Sequence, residues 1–174
     1  MYSPATLLSN SVLSFFQKHL TIRNGDFLFS FQEGKENVQR ECWSADLLLV
    51  PSSTGVWLAY DGFPVQIRHL FLSHSAADIL CFCQRFPSWL KISDNVAFAA
   101  LGLIASNSQI SLLKHQFSNA KVHTLFDAGI TGRVTDCKVA LWLKGTDATF
   151  IADGELIHIN HHINKFVIPV EAFS

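Results

Sequence analysis

The sequence lacks the patterns that mark several specialised classes of protein. It has four cysteines, but none of them forms a CxxC pair of the kind found in zinc sites and dithiol redox motifs. It also lacks an apolar run of about eighteen residues, and no basic segment precedes a short apolar one. We therefore expect reduced cysteines and a cytoplasmic protein without a secretion signal or a membrane-spanning helix. Cys81 and Cys83 lie in an apolar helical stretch, which predicts that both are buried.

The sequence also lacks a dominant charge. Lys and Arg number 13 and Asp and Glu number 14, so the formal net charge is -1. A protein that coats DNA by itself needs many Lys and Arg side chains to neutralise phosphates. Any contact with nucleic acid is therefore expected to be local or shared with a partner. The 174 residues, 49% of them hydrophobic, are enough for one well-filled core.

One helix followed by short strands is expected before residue 67. The segment SPATLLSNSVLSFFQKHL begins with a Ser-Pro pair and repeats apolar residues at helical spacing, which predicts an amphipathic helix. Short β-prone runs bounded by Gly, Pro, Ser and Asp follow it, and these predict strands. The runs are DFLFSFQ, ADLLLVPS and GVWLAYDG. We assign residues 1–66 to an N-terminal helix and strand-rich extension.

From about residue 67 short apolar runs alternate with helical segments. The runs HLFLSH, NVAFAALG and KVHTLFDA are each followed by a helical pattern. This order is typical of βαβ units with parallel strands and right-handed crossovers. In the second of these helices Ser106 is the expected N-cap, and Ile110, Leu113 and Phe117 the buried face.

The C-terminal tail has strand patterns on both sides of an Asp-Gly turn at 153–154, with a further strand pattern at 165–170. This arrangement predicts a hairpin at the edge of the sheet. The fold class that we predict for residues 67–174 is α/β, with a mostly parallel sheet flanked by helices and a C-terminal hairpin.

Polar side chains stand where the first and third of the predicted parallel strands end. Ser73, His74 and Ser75 follow the first strand, Asp78 comes one helical turn later, and Asp127 ends the third strand. Ligands of open α/β sheets gather beyond the carboxyl ends of the strands. We therefore expect these side chains to converge on one cleft.

The motifs at these strand ends resemble the Toprim domain, the metal-binding module shared by topoisomerases, bacterial primases and relatives encoded on mobile elements. HSAADIL, residues 74–80, is similar to the mobile-element motif Glu-Ser-x-x-Asp-Ala-Leu except at its first residue. In KVHTLFDAGITGR, Asp127, Gly132 and Arg133 match the strand-end aspartate, glycine and arginine of the family. The resemblance covers roughly residues 67–145 and implies a Toprim-like fold.

Two carboxylates that the resemblance implies are missing. His74 stands at the position of the family's acid-base glutamate, and Gly129 at the second aspartate of its metal-binding Asp-x-Asp pair. Magnesium favours oxygen ligands in near-octahedral geometry, whereas imidazole suits transition metals better. We therefore predict a degenerate, non-catalytic Toprim-like domain without a metal or other cofactor. Its expected role is binding or scaffolding, with nucleic acid or a replication or mobilisation protein as partner.

Each of these residues also has a purely structural interpretation. His74 fits a hydrogen-bonded histidine at a strand end, Asp78 a carboxylate favoured by the N-terminal end of a helix dipole, and Asp127 a turn aspartate. Gly129 and Gly132 would let a phosphate approach backbone N–H groups with Arg133 closing on it, although a solvent-facing arginine is the more common arrangement.

Other aromatic and histidine residues are expected to be structural. The run HINHH contains three histidines, which we interpret as exposed turn residues and not as metal ligands. The tryptophans are interpreted as core residues and not as a platform for base stacking. These residues are His158, His161, His162, Trp43, Trp57, Trp89 and Trp142.

Two other functions remain open from the sequence. In the first, the domain is an active nuclease or nucleotidyl transferase in which His74 is the general base and Asp78 and Asp127 carry magnesium. In the second, it is a protein-interaction module that forms a homodimer through its N-terminal helix or the edge of its C-terminal hairpin.

Overall fold

The structure is a computed structural model that describes residues 3–173. They form two compact units, one ending at Leu125 and the other beginning at Phe126. Within the described residues no helix is long and apolar enough to cross a bilayer.

The N-terminal segment forms two short helices where the sequence predicts one. A 3₁₀ helix spans Pro4–Leu7 and α1 spans Asn10–Phe16. The two are separate because Leu8 and Ser9 both have extended backbone conformations. The apolar spacing is still used as expected, because α1 buries Val12, Phe15 and Phe16.

The first sheet of this unit is an antiparallel meander. Its strands are β1 (Thr21–Arg23), β2 (Asp26–Glu33), β3 (Glu36–Trp43) and β4 (Leu48–Leu49), hydrogen-bonded in that order. Every second residue at the start of β2 is buried, as expected for a strand with one face on a core. These buried residues are Phe27, Phe29 and Phe31.

The second sheet contains the parallel strands that the sequence predicts. It has the order β5-β7-β6-β8, in which β6 runs parallel to both β7 and β8, and β5 is antiparallel to β7. Helix α2 follows β6, and α3 precedes β8. The bounds are β5 Trp57–Tyr60, β6 His69–Ser73, α2 Ala76–Arg85, β7 Val96–Ala100, α3 Asn107–Gln116 and β8 Lys121–Thr124.

The mixed α/β class is confirmed, but a mostly parallel sheet is wrong for the described chain as a whole, where most strand pairs are antiparallel. Parallel pairing requires a crossover connection, and only the stretch from β6 to β8 has such connections. Short turns join most of the other neighbouring strands, and such turns produce antiparallel pairs.

One hydrophobic core joins elements from before and after residue 66. Phe16 of α1 packs against Trp57 and Phe98 with ring centroids 6.0 and 5.6 Å apart. Phe29 of β2 meets Trp57 edge-on at 5.5 Å. The domain boundary between 1–66 and 67–174 stays a prediction. If the two parts folded independently, the boundary would separate residues that share this core.

Two helical predictions concern side chains. Ser106 caps α3 by accepting a hydrogen bond from the Gln109 amide, which confirms the N-cap. Cys83 is buried as predicted, but Cys81 is exposed because the buried face of α2 runs along the opposite side. All four cysteines are free thiols.

The second unit contains one α-helix, a 3₁₀ helix at Val170–Phe173 and a sheet of its own. Helix α4 spans Ile130–Leu143 and is followed by β9 (Thr149–Asp153), β10 (Leu156–His161) and β11 (Asn164–Pro169). These strands form an antiparallel sheet in the order β11-β10-β9. The predicted turn is present, with Gly154 at a φ of 58°. The strands pair with one another in a separate sheet, so the prediction of a hairpin added to the edge of the parallel sheet is wrong.

Candidate functional site

The carboxyl ends of β6 and β7 are hydrogen-bonded to each other beyond the sheet. Leu101 N donates to Ser73 O at 2.9 Å and Gly102 N to His74 O at 3.0 Å. The His74 ring extends this pairing, because its Nδ1 lies 2.9 Å from Gly102 O. A carbonyl oxygen only accepts, so Nδ1 carries the proton. The structure thus agrees with the interpretation of His74 as a hydrogen-bonded histidine at a strand end.

Gly102 is required at this junction. Its φ is +79°, in the left-handed region that residues with a Cβ rarely adopt. A Cβ at this position would also lie 2.5 Å from Pro51 O. The backbone that accepts the His74 hydrogen bond is therefore held in one conformation by the segment that packs against it.

A carboxylate that the sequence patterns did not indicate contacts the three residues that follow His74. Glu41 of β3 is completely buried. One of its oxygens accepts hydrogen bonds from Ser75 Oγ at 2.8 Å and Ala77 N at 2.9 Å, and the other from Ala76 N at 2.9 Å. Ser75 is itself the N-cap of α2. Glu41 therefore satisfies the first backbone N–H groups of α2 and places a negative charge at the positive end of the helix dipole.

The environment of Glu41 pulls its pKa in two directions. Burial raises the pKa of this carboxyl, and the charge of Asp78 adds a smaller upward shift. The hydrogen bonds from Ala77, Ala76 and Ser75 act in the opposite direction, because they stabilise the charged form. Burial is the larger effect. Buried and bonded through both oxygens, the carboxylate has a structural role at the start of α2.

Asp78 lies in the first turn of α2 and is exposed. Its backbone N–H donates to the Ser75 hydroxyl at 3.3 Å, completing the cap. A carboxylate in the first helical turn interacts favourably with the helix dipole. The position of Asp78 therefore agrees with the structural interpretation of this residue.

Asp127 is engaged with the turn that follows it in the second unit. Its Oδ1 accepts a hydrogen bond from Gly129 N at 2.8 Å, although the side chain is exposed. Gly129 is the N-cap residue of α4 and has an extended backbone with φ −74° and ψ 172°. The turn interpretation of Asp127 thus agrees with the structure.

Gly132 and Arg133 also have structural contacts here. A Cβ on Gly132 would overlap the carbonyl oxygen of Asp127, so only glycine lets the first turn of α4 lie this close to the preceding loop. Arg133 Nε donates to Ala128 O at 2.7 Å and the side chain is half-buried. The arginine is therefore bonded to its own loop at the surface, and a solvent-facing role for it stays a prediction.

Of the predicted site residues, His74 and Asp78 belong to the first unit and the other four to the second. The convergence of the two sets stays a prediction. Among residues 3–173 no three His, Cys, Asp or Glu side chains are grouped to hold a metal ion. The site that the Toprim resemblance implies would need magnesium, and the nitrogen of His74 together with an already bonded Asp127 does not fit that ion.

The histidines of the C-terminal sheet differ partly from the expectation of exposed turn residues. His162 is exposed in the turn after β10, with a φ of 52°. His158 and His161 are half-buried residues of β10, and His158 Nε2 lies 3.7 Å from Asp153 Oδ2. The β10 histidines are therefore strand residues, which the polar HINHH pattern did not reveal.

The tryptophans agree with the prediction of core packing. Trp57 and Trp142 are buried, and Trp43 and Trp89 are half-buried against the core. Trp57 Nε1 also donates to His19 O at 2.7 Å, which satisfies its polar atom inside the core. None of the four offers a fully exposed face for base stacking.

The sequence matches no family model and no curated protein. Solved structures do resemble it. One is the primase fragment of the bacteriophage T7 primase-helicase, with a TM-score of 0.50 and 14% identity over 79% of this chain. The fold is primase-like. A second similar chain has a TM-score of 0.53, also at 14% identity, over 87% of this chain. It comes from a structure of the bacteriophage T7 lagging-strand DNA polymerase interacting with the primase domains of two gp4 subunits bound to an RNA/DNA hybrid and dTTP.

This similarity concerns the fold. The protein spans 58% of the T7 primase fragment and 80% of the chain from the polymerase assembly. At such low identity a shared fold does not transfer an activity, because function depends on the side chains of the site. The likeness supports the primase-type fold implied by the resemblance at the strand ends.

Proposed function

We propose that this protein is a primase-like domain of the Toprim type whose metal site is degenerate, and that it binds nucleic acid or a replication or mobilisation protein without catalysing phosphoryl transfer. The observation that carries the proposal is the combination of a primase-like fold with site positions already bonded within the protein. His74 is bonded to Gly102 O and Asp127 to Gly129 N.

The chemistry of these positions supports the loss of catalysis. Magnesium holds its ligands at roughly 2.0–2.1 Å and is reluctant to lose water, so a single carboxylate binds it weakly. Asp127 is one such carboxylate, and the Gly129 N–H already occupies one of its oxygens. His74 offers nitrogen where the family has an oxygen ligand.

The N-terminal end of α2 supports the same proposal. Helix N-termini are common binding sites for phosphate because their N–H groups are unpaired and their dipole is positive. Here the Glu41 carboxylate accepts the hydrogen bonds of Ala76 and Ala77. An incoming phosphate would meet a buried negative charge at this helix end, so the protein lacks one of the usual ways to hold a phosphodiester there.

Metal titration tests the loss of catalysis. We expect calorimetry with Mg²⁺ and with Mn²⁺ to show no binding at sub-millimolar concentrations, and primer-synthesis and nuclease assays to show no product. Asp127→Asn is the informative variant, because its amide oxygen still accepts the Gly129 hydrogen bond while the charge is lost. Sub-millimolar Mg²⁺ binding by the natural chain that disappears in Asp127→Asn would instead support an active enzyme using His74, Asp78 and Asp127.

Restoring one of the missing acids gives a complementary test. Gly129 has backbone angles that any residue adopts, and Asp is favoured at an N-cap. A Cβ there would lie 2.7 Å from Asp127 Oδ1, so Gly129→Asp must displace that oxygen from its turn. We expect Gly129→Asp to gain Mn²⁺ binding over the natural chain, because it adds a second carboxylate close to Asp127. Gly129→Asn is the matched control without the charge, and a Gly129→Asp variant that binds Mn²⁺ no better than Gly129→Asn would contradict the Toprim interpretation.

Binding to nucleic acid is tested by fluorescence anisotropy with labelled single-stranded DNA. With a net charge of -1, we expect weak binding that depends strongly on salt and needs no divalent ion. Binding at low salt that survives the Asp127→Asn change supports a non-catalytic binding domain. If no binding to DNA occurs even at low salt, the expected partner is a replication or mobilisation protein.

The C-terminal sheet favours a protein-interaction role as the second candidate. Several of its apolar side chains are exposed, with Ile163 95% and Val167 53% accessible to solvent. Exposed apolar clusters often mark contacts with other proteins. Sedimentation measures this directly: a dimer that Val167→Lys converts to monomer, together with undetectable DNA binding, would favour this function over the first.

A further inference from the structure

Two histidines on neighbouring parallel strands lie side by side, away from the strand ends described above. His69 is the first residue of β6 and His123 belongs to β8. His69 Nδ1 lies 3.0 Å from His123 Nε2, and both side chains are half-buried. His74 follows the other end of β6, so about 16 Å of strand separates this pair from it.

Aromatic rings hold both imidazoles in place. The Phe71 ring stacks on His123 with centroids 4.7 Å apart and planes 17° from parallel. Trp89 meets His69 edge-on at 5.1 Å and lies 6.0 Å from His123. These contacts hold the two rings beside each other. They also place a fluorescent side chain next to both nitrogens.

The distance between the two nitrogens suits neighbouring ligands of one metal ion. Imidazole nitrogen binds transition metals at roughly 2.0–2.1 Å. Two adjacent ligands at that length stand about 2.9 Å apart in square-planar geometry and about 3.3 Å apart in tetrahedral geometry. The observed 3.0 Å lies between these values. We propose that His69 and His123 form a two-imidazole site for a first-row transition-metal ion of the class of Ni²⁺, Cu²⁺ or Zn²⁺, with water completing the coordination.

Binding requires ring rotation and a change of tautomer. In the hydrogen-bonded pair one nitrogen donates its proton toward the other, whereas a metal ion needs a lone pair from each. Each lone pair must turn by about 40° from the line between the nitrogens for both to meet at one ion. The neutral pair has two ring protons, and both remain after binding, on Nε2 of His69 and Nδ1 of His123.

Lys121 places a positive charge beside the pair. It lies opposite His69 in the strand pairing and two residues before His123. Its ammonium group repels a metal cation. Removing that charge should therefore tighten metal binding, an effect that a purely structural histidine pair would not produce.

Calorimetry with Ni²⁺ on the full chain tests the proposal, together with Trp fluorescence during addition of Cu²⁺. We expect one site with micromolar affinity for Ni²⁺. His123→Phe keeps a ring beside Phe71 and removes the nitrogen, and it should weaken binding by about tenfold or more, because the second ligand of a pair binds at high effective concentration. Lys121→Gln should tighten binding severalfold. Cu²⁺ should quench fluorescence, and most of the quenched component should be lost in Trp89→Phe.

Two controls separate this site from other histidines. His115→Gln removes a lone exposed histidine of α3 and should change nothing. A variant with His158, His161 and His162 all changed to Gln removes the histidine cluster of the C-terminal sheet. It should still bind Ni²⁺ at the His69–His123 site. The proposal is overturned if that triple variant abolishes Ni²⁺ binding, or if neither His123→Phe nor Lys121→Gln alters the affinity. The Lys121→Gln arm remains decisive if His123→Phe fails to fold.

Discussion

Removing the Glu41 carboxylate should destabilise the first unit through the start of α2. Glu41→Ala leaves the N–H groups of Ala76 and Ala77 without their acceptor in a completely buried position. An unsatisfied buried donor costs about 1–3 kcal/mol, which gives about 2–6 kcal/mol for the two. The variant also avoids burying a charge, and this relief offsets part of the loss. We expect a net decrease of about 2–4 kcal/mol in the free energy of unfolding.

Glu41→Gln separates hydrogen bonding from charge. The amide keeps the volume of the side chain and one acceptor oxygen, which can serve Ser75 and Ala77. Its NH₂ group then faces the Ala76 N–H, donor against donor. The expected decrease in the free energy of unfolding is about 1–2 kcal/mol, smaller than for Glu41→Ala because a single backbone donor is left unpaired.

Glu41→Gln should also change the pH dependence of stability. The pKa of Glu41 is raised in the folded state, so the folded protein binds more protons than the unfolded chain above pH 4.5. Its contribution to stability is therefore present in full below pH 4.5 and is lost as the pH rises through the folded pKa. Glu41→Gln should remove that loss, which urea denaturation at several pH values measures.

Urea denaturation followed by tryptophan fluorescence measures the free energy of unfolding of the natural chain, Glu41→Ala and Glu41→Gln. Glu36→Ala is the matched control, because Glu36 is an exposed carboxylate of the same strand and should cost less than about 0.5 kcal/mol. Amide hydrogen exchange gives a local measure, and the Ala76 and Ala77 amides should exchange faster in Glu41→Ala. If Glu41→Ala is no more destabilising than Glu36→Ala and these amides stay protected, the assigned role of Glu41 is wrong.

Three further predictions concern other buried contacts. Gly132→Ala should cost about 1–3 kcal/mol in urea denaturation, because the added methyl group overlaps the Asp127 carbonyl. Gln109→Met should cost about 2–4 kcal/mol, because the two N–H groups of the Gln109 amide serve three buried backbone carbonyls and Met has no donor to replace them. Burial lowers the pKa values of His19 and His123 in the folded state. Below pH 6.5 the unfolded chain therefore binds more protons than the folded protein, and stability should fall as the pH drops from 6.5 through the folded pKa values. Thermal denaturation at several pH values measures this decrease.

Local patterns predicted the helices and parallel strands of the second half well. Short apolar runs gave β6, β7 and β8, and the Ser106-x-x-Gln109 spacing gave the cap of α3, because these elements depend on residues close in sequence. The turn contact of Asp127 was accessible for the same reason, since its partner is two residues away. The degree of parallel pairing was overestimated because pattern alone does not state how many strands a sheet has.

The groups that decide the site were hidden because their partners are distant in sequence. Glu41 lies in β3, a strand that is mostly polar and exposed and so gives no alternating pattern. Its partners at the start of α2 are 34 to 36 residues away. His69 and His123 are 54 residues apart and meet only through the register of β6 and β8. Neither contact can be found without the tertiary fold.

The satisfaction of polar groups at the strand ends is itself an argument about function. A working metal site keeps like charges close together and leaves coordination positions open, which costs stability that binding of the ion must repay. Here Nδ1 of His74, Oδ1 of Asp127 and the α2 N-terminus each have a hydrogen-bond partner within the protein. Such an arrangement is stable without an ion.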